Sequence, residues 1–236
     1  MPDVSGVTDG VAHPEEALSA TYQGGYADSR GKFPAVFAND GETFSMTVLD
    51  VTFRGQSLDD LDPDPETPPA LLDGFTTSFG LCACDISLAM PLPVLVEGIE
   101  TIANLNIDLH LGPPRPPPHA GVSNELLKLE LAVLDIRLQS SGKSAWFEDE
   151  LLDLAQQLPA GTSIKSCFFC QYSDYSPYGS GLIGSMLCFR NIKAEYSRVK
   201  DKEAFWTVHD RFDRQVQETY LCGDFRPRIA GTGYRG

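Results

Sequence analysis

Chemistry-bearing side chains crowd into one stretch, Lys165 to Asn191 (KSCFFCQYSDYSPYGSGLIGSMLCFRN), and into the tail that follows it. Cys167-x2-Cys170 with Cys188 and Cys222 supplies four thiols, enough for a tetrahedral zinc site. The gaps are irregular and no second CxxC pairs with the first. Phe168 and Phe169 between the cysteines equally fit a buried strand on which thiols pack. Buried thiols are the favoured reading, so no metal is expected. Cys82 and Cys84 fall on one strand face and read as core.

Tyr172, Asp174, Tyr175 and Tyr178 lie in a run punctuated by Pro177, Gly179 and Gly181, which makes it a loop. Burial raises a carboxylate's pKa, so a partly desolvated Asp174 can serve as general base, with the tyrosines orienting a polar substrate. The alternative is a structural turn in which Asp174 caps backbone N–H groups. Glu148-Asp149-Glu150 stands at a helix start, where carboxylates are ordinarily a solvated, dipole-matched face. Trp146 and Phe147 just before it leave room for one desolvated acid, Glu148. Arg190, Arg226, Arg228 and Arg235 can each hold a sulfate, phosphate or carboxylate, Arg190 and Arg228 foremost, although in an acidic protein each more often pairs with a local carboxylate. His13, His110, His119 and His209 are scattered, which speaks against a histidine triad or metal centre. GxGxxG, Walker, HExxH and GxSxG patterns do not occur.

The elements that must position these groups follow from periodicity. The chain has 236 residues and a formal charge of −15, enough length for a sizeable core and the wrong sign for nucleic acid or anionic membranes. Residues 1–20 read as a mobile leader without a signal-peptide pattern, so the expected location is the cytoplasm. Residues 21–236 read as one α+β domain, β-rich over 21–140 and richer in helix and loop over 141–236. Phe33–Phe37 and Thr43–Phe53 flank the turn signal Asn39-Asp40-Gly41 and predict a hairpin. Phe79–Met90, Ala103–Leu111 and Leu127–Leu138 alternate as strands. Phase slips at Val48-Leu49 and Val133-Leu134 predict bulges. Leu58–Ala70 reads as a loop, and Pro113–Pro118 as a stiff connector. Ser144 is placed as the cap of a helix with the stripe Phe147, Leu151, Leu154, Ala155 and Leu158, ended by Pro159 and Gly161. Ile164–Gln171 predicts a strand, and helices are expected over Asn191–Val199 and Lys202–Val208. The fold class is α+β: a bulged antiparallel sheet platform with helices on one side.

The phrases WFEDELL, YSDYSPYG, CFRN, QETYLC and GTGYRG resemble a bacterial family of uncharacterised function, most closely over the last hundred or so residues. The family brings no catalytic residues to transfer. An acidic chain of this size without a known enzyme motif also looks like the larger subunit of the aziridine-forming enzyme of azinomycin-type antibiotic biosynthesis. That resemblance implies an intramolecular amine displacement of a sulfate, no cofactor, and a small partner subunit. Asp174 or Glu148 would take the proton, and Arg190 or Arg228 with Tyr172, Tyr175 and Tyr178 would hold the substrate. The rival expectation is a non-catalytic binding or assembly protein, whose cysteines, with or without zinc, brace an aromatic interface loop.

Overall fold

The computed structural model describes residues 20–40, 43–119, 121–177, 179, 181–184 and 186–235. The leader, apart from Ala20, lies outside these residues, as do Gly41 of the turn signal and Tyr178 of the tyrosine loop.

Eleven strands come first: β1 (Ala20–Asp28), β2 (Gly31–Asn39), β3 (Phe44–Val48), β4 (Val51–Gly55), β5 (Asp62–Pro63), β6 (Thr76–Thr77), β7 (Leu81–Cys82), β8 (Cys84–Val96), β9 (Ile99–Leu111), β10 (Glu125–Val133) and β11 (Ile136–Gln139). Then follow α1 (Phe147–Gln157), β12 (Thr162–Ile164), β13 (Ser173–Tyr175), β14 (Met186–Cys188), α2 (Lys193–Tyr196), α3 (Lys202–Trp206) and β15 (Arg214–Val216). One antiparallel sheet runs β11-β10-β9-β8-β1-β2-β3-β4-β5, with β12 pairing to the far end of β8. A three-stranded sheet, β13-β14-β15, stands apart from it, and β6 and β7 form a small ribbon. The class is α+β, as the periodicity predicts.

Strict alternation builds the large sheet. Ala103, Leu105, Ile107, Leu109 and Leu111 of β9 are buried, as are Cys84, Ile86, Leu88, Met90, Leu92 and Val94 of β8. Each fully buried aliphatic side chain contributes about 1.5–3 kcal/mol. A one-residue slip would turn this whole set to solvent, which pins the register. Helix α1 packs over β10 and β11, burying Phe147, Leu151 and Leu154.

At both phase slips the chain reverses instead of bulging. Val48 pairs with Val51 and Val133 with Ile136, so two-residue turns connect β3 to β4 and β10 to β11. Leu49, Asp50 and Leu134 take positive φ there, at 50°, 63° and 50°. A bulge and a tight turn both shift the alternation by one, and no glycine or asparagine marks these turns. Pro113–Pro118 is also less extended than expected: Pro114 bridges to Val122, folding the connector back on itself. Within the Leu58–Ala70 loop, β5 pairs with β4.

Three further local differences lie near the site. Residue Trp146 is the helix N-cap and makes no side-chain cap bond. Ser144 instead accepts from the Trp146 N–H at 3.0 Å and donates to Asp149 at 2.7 Å. The strand expected over Ile164–Gln171 ends at Ile164, and Cys167–Phe169 is a 3-10 turn. The two late helices are shorter than their patterns, at Lys193–Tyr196 and Lys202–Trp206.

The main core reaches into the C-terminal third through Phe168, Tyr175, Ile183, Met186 and Val216. A second cluster gathers Leu187, Phe189, Tyr196, Val199, Phe205 and Val208. Gly184 sits where the loop meets the sheet, at φ +103°, and a Cβ there would lie 3.0 Å from Phe44 Cε2 and 3.2 Å from Gln56 O. Replacing Gly184 with Ala should cost about 1–3 kcal/mol from backbone strain alone. A thermal scan checks it, at about 2–4 °C of Tm per kcal/mol for a chain this long.

Candidate functional site

The site is built around Asp174, in the middle of β13 and fully buried. Its carboxylate accepts from Arg235 Nε at 2.7 Å, the Arg235 backbone N–H at 3.1 Å and the Tyr196 hydroxyl at 2.5 Å. Arg228 Nη1 lies 3.7 Å away, at ion-pair range but too long for a hydrogen bond. Arg235 lies against the rings of Phe168 and Tyr175, 4.5 and 5.3 Å from their centroids, and donates to Phe168 O at 2.9 Å. The tail is therefore folded into the site, 61 positions from its partner.

Around this ion pair lies a pocket of about 330 Å³ walled by Glu148, Asp149, Leu152, Phe168, Phe169, Arg228 and Arg235. Glu148 comes from the first turn of α1, and burial raises its pKa, although Arg235 pulls it partly back. Arg228 donates to Cys170 O at 3.0 Å and also to Ser173 O. Its buried Nε and Nη1 have no hydrogen-bond partner among the described residues. Burial and the neighbouring Arg235 both lower the pKa of Arg228, while Asp174 opposes them. Two guanidinium groups thus share one buried carboxylate, and both arginines line the pocket.

Behind the pocket stands Glu218, fully buried, which nothing in the sequence singled out. It accepts from the Tyr175 hydroxyl at 2.9 Å and the Gly184 N–H at 2.8 Å. Burial pushes its pKa up to about 7, against the hydrogen bonds and Arg235, which lower it. The only sequence clue was its position in QETYLC, between two stretches of the site.

The structure brings Glu148, Asp174, Tyr175 and Arg228 together, and it does not bring Arg190 or Tyr172 into the pocket wall. Arg190 pairs with Asp213 at 2.8 Å, and Tyr172 lies beneath Lys193 Nζ, 5.3 Å from the ring centre. The carboxylate run at the start of α1 is also not a simple solvated face. Glu150 is buried and accepts from the Gly142 and Ser144 N–H groups at 2.7 and 2.8 Å. All six cysteines are buried free thiols. Burial and the neighbouring sulfurs push Cys167 well up, and burial raises Cys188 to about 11.

A ten-stranded antiparallel sheet with an arginine- and carboxylate-rich pocket at its C-terminal third describes an α+β protein for which no catalytic motif supplies a class. The chain belongs to a family of unknown function, DUF6304, whose match spans residues 20–173. No curated protein and no solved structure matches it. The match takes in the large sheet, α1 and the Cys167–Cys170 turn, whereas the resemblance in the sequence is strongest farther along. Unusual phrases such as QETYLC draw the eye, while alternating strands look alike in many proteins. Among the described residues no helix is long and apolar enough to cross a membrane.

Proposed function

We propose that the Glu148–Arg228–Arg235 pocket binds a small metabolite bearing an oxyanion and an amine, with Glu148 as its acid–base group. The observation that carries this reading is a pocket wall in which two arginines, Arg228 and Arg235, stand with a partly desolvated carboxylate, Glu148. Guanidinium groups at a pocket wall offer an oxyanion charge-assisted hydrogen bonds. Asp174 is less suited to be the base, because its oxygens already accept from Arg235 and Tyr196. Its role is to hold the two arginines in place.

The finer reading is the closure of an aziridine ring in secondary metabolism. Glu148 takes a proton from the substrate ammonium, and the freed nitrogen lone pair attacks the neighbouring carbon. The carbon–oxygen bond breaks, and sulfate leaves with the electron pair onto Arg228. The demand is for one base and one oxyanion site close together, and the sharing of one wall by Glu148 and Arg228 supports it. A second reading, docking of a small partner subunit, is favoured by two exposed apolar side chains of the same helix region, Leu152 in the pocket wall and Trp146 at the helix N-cap, 41% and 53% exposed.

Calorimetric titration with inorganic sulfate tests the pocket. Saturable binding is expected, weakened about tenfold or more in Arg228→Lys, which loses the planar fork of donors. Glu148→Gln should tighten sulfate, because it removes a like charge. A response that does not saturate, or that Arg228→Lys leaves unchanged, would refute the assignment. Release of sulfate from a vicinal amino-sulfate ester, lost in Glu148→Gln, then separates ring closure from binding alone.

A further inference from the structure

The four cysteines of the C-terminal third come from three stretches of chain that the backbone ties together. The Cys167 N–H donates to Tyr220 O at 2.6 Å and the Phe168 N–H to Glu218 O at 3.0 Å. This lays the first pair alongside the segment that leads to Cys222. Cys188 pairs with Ser173 across β13 and β14, and Cys170 bridges to Pro227. The Cys170 N–H closes the turn onto Cys167 O at 3.0 Å. All four thiols are buried, and Cys170, Cys188 and Cys222 stand near enough to Cys167 to raise its pKa further than burial alone.

A second feature recurs at three of them. The Tyr172 N–H donates to Cys170 Sγ at 3.5 Å, and the Arg190 and Asp224 backbones lie near enough to Cys188 and Cys222 to pull their pKa values down against burial. In each case the backbone group lies two residues beyond the cysteine. A neutral thiol is a weak acceptor and gains little from such a bond. A thiolate gains about twice as much as a neutral acceptor, and amides of this kind orient metal-bound sulfur. The Arg190 charge also acts on Cys188 and Cys222, which offsets part of the excess negative charge that four thiolates carry over a divalent ion. Apolar packing requires none of this.

We propose that Cys167, Cys170, Cys188 and Cys222 form a tetrathiolate site for a soft divalent cation, zinc foremost, that clamps the C-terminal third together. Among the described residues no group of three or more His, Cys, Asp and Glu is already arranged to hold an ion. Closure therefore requires the sulfurs to be drawn in to Zn–S distances of about 2.3 Å. The cluster adjoins the Glu148 pocket, whose wall includes Phe168 and Phe169 and whose Arg228 donates to Cys170 O.

Metal content of the full chain, purified under reducing conditions, is the first test. About one zinc per chain is expected from four thiolates at one tetrahedral ion. Cys188→Ser and Cys222→Ser should each lose it, while Cys84→Ser on the large sheet should keep it. Cobalt substitution of the unmutated protein covers the case in which these variants fail to fold. Sulfur-to-cobalt charge-transfer and tetrahedral ligand-field bands are expected. A chain that holds no zinc and gives no thiolate–cobalt spectrum overturns the proposal, as does cobalt bound only through oxygen. Pairing of the same cysteines into disulfides in the reduced preparation overturns it as well.

Discussion

Asp174→Ala should lower the unfolding free energy by about 3–5 kcal/mol, the usual loss when one partner of a buried ion pair is removed. Asp174 is fully buried, and Arg235 and Arg228 side chains facing it are only 20% and 18% exposed. Without the carboxylate, two like charges remain in a low-dielectric site, and the Tyr196 hydroxyl loses its acceptor. The Arg235 backbone N–H loses its acceptor too, so the tail should come away from the pocket. Denaturant melts give the free energy, and proteolysis confined to the tail gives the location. Asp174→Asn retains the shape but not the charge and should fall between the two. If Asp174→Ala melts within about 0.5 kcal/mol of the unmutated protein, as a surface substitution would, the buried ion pair does not organise this region.

Glu218 should make the protein less stable as the pH rises from about 4.5 to about 7. Its carboxyl is raised from 4.5 to about 7 in the folded chain. Below that window both states keep the proton, and the group contributes no pH dependence. Within it the unfolded chain gives up the proton while the folded chain retains it, so rising pH favours unfolding. The whole interval is worth on the order of 3 kcal/mol. Glu218→Gln removes the titration, so its stability should change less across the window than that of the unmutated protein. The baseline will drop, because Tyr175 and Gly184 donate to different carboxylate oxygens and the amide puts a nitrogen donor in place of one of them. Thermal melts at several pH values compare the slopes, and parallel slopes would exclude Glu218 as the titrating group.

By itself the sequence determined what a period can carry. The buried faces of β8 and β9 were legible because each side chain's environment is set by its parity along a strand. The stripe of α1 was legible because a 3.6-residue repeat with Phe147, Leu151 and Leu154 has one reading. The turns at Leu49-Asp50 and Leu134-Asp135 were not, since apolar residues at positive φ carry no local mark, and only pairing with the neighbouring strand distinguishes a turn from a bulge. Asp174, Glu148 and Arg228 could be named as chemically able. That Asp174 is the counter-ion of the tail, while Glu148 faces the pocket, was decided by which side chains meet across long separations. Glu218 shows the same limit most clearly. A glutamate in a polar phrase gives no sign of burial until Tyr175 and Gly184 close over it, because desolvation belongs to the assembled surroundings and not to the residue.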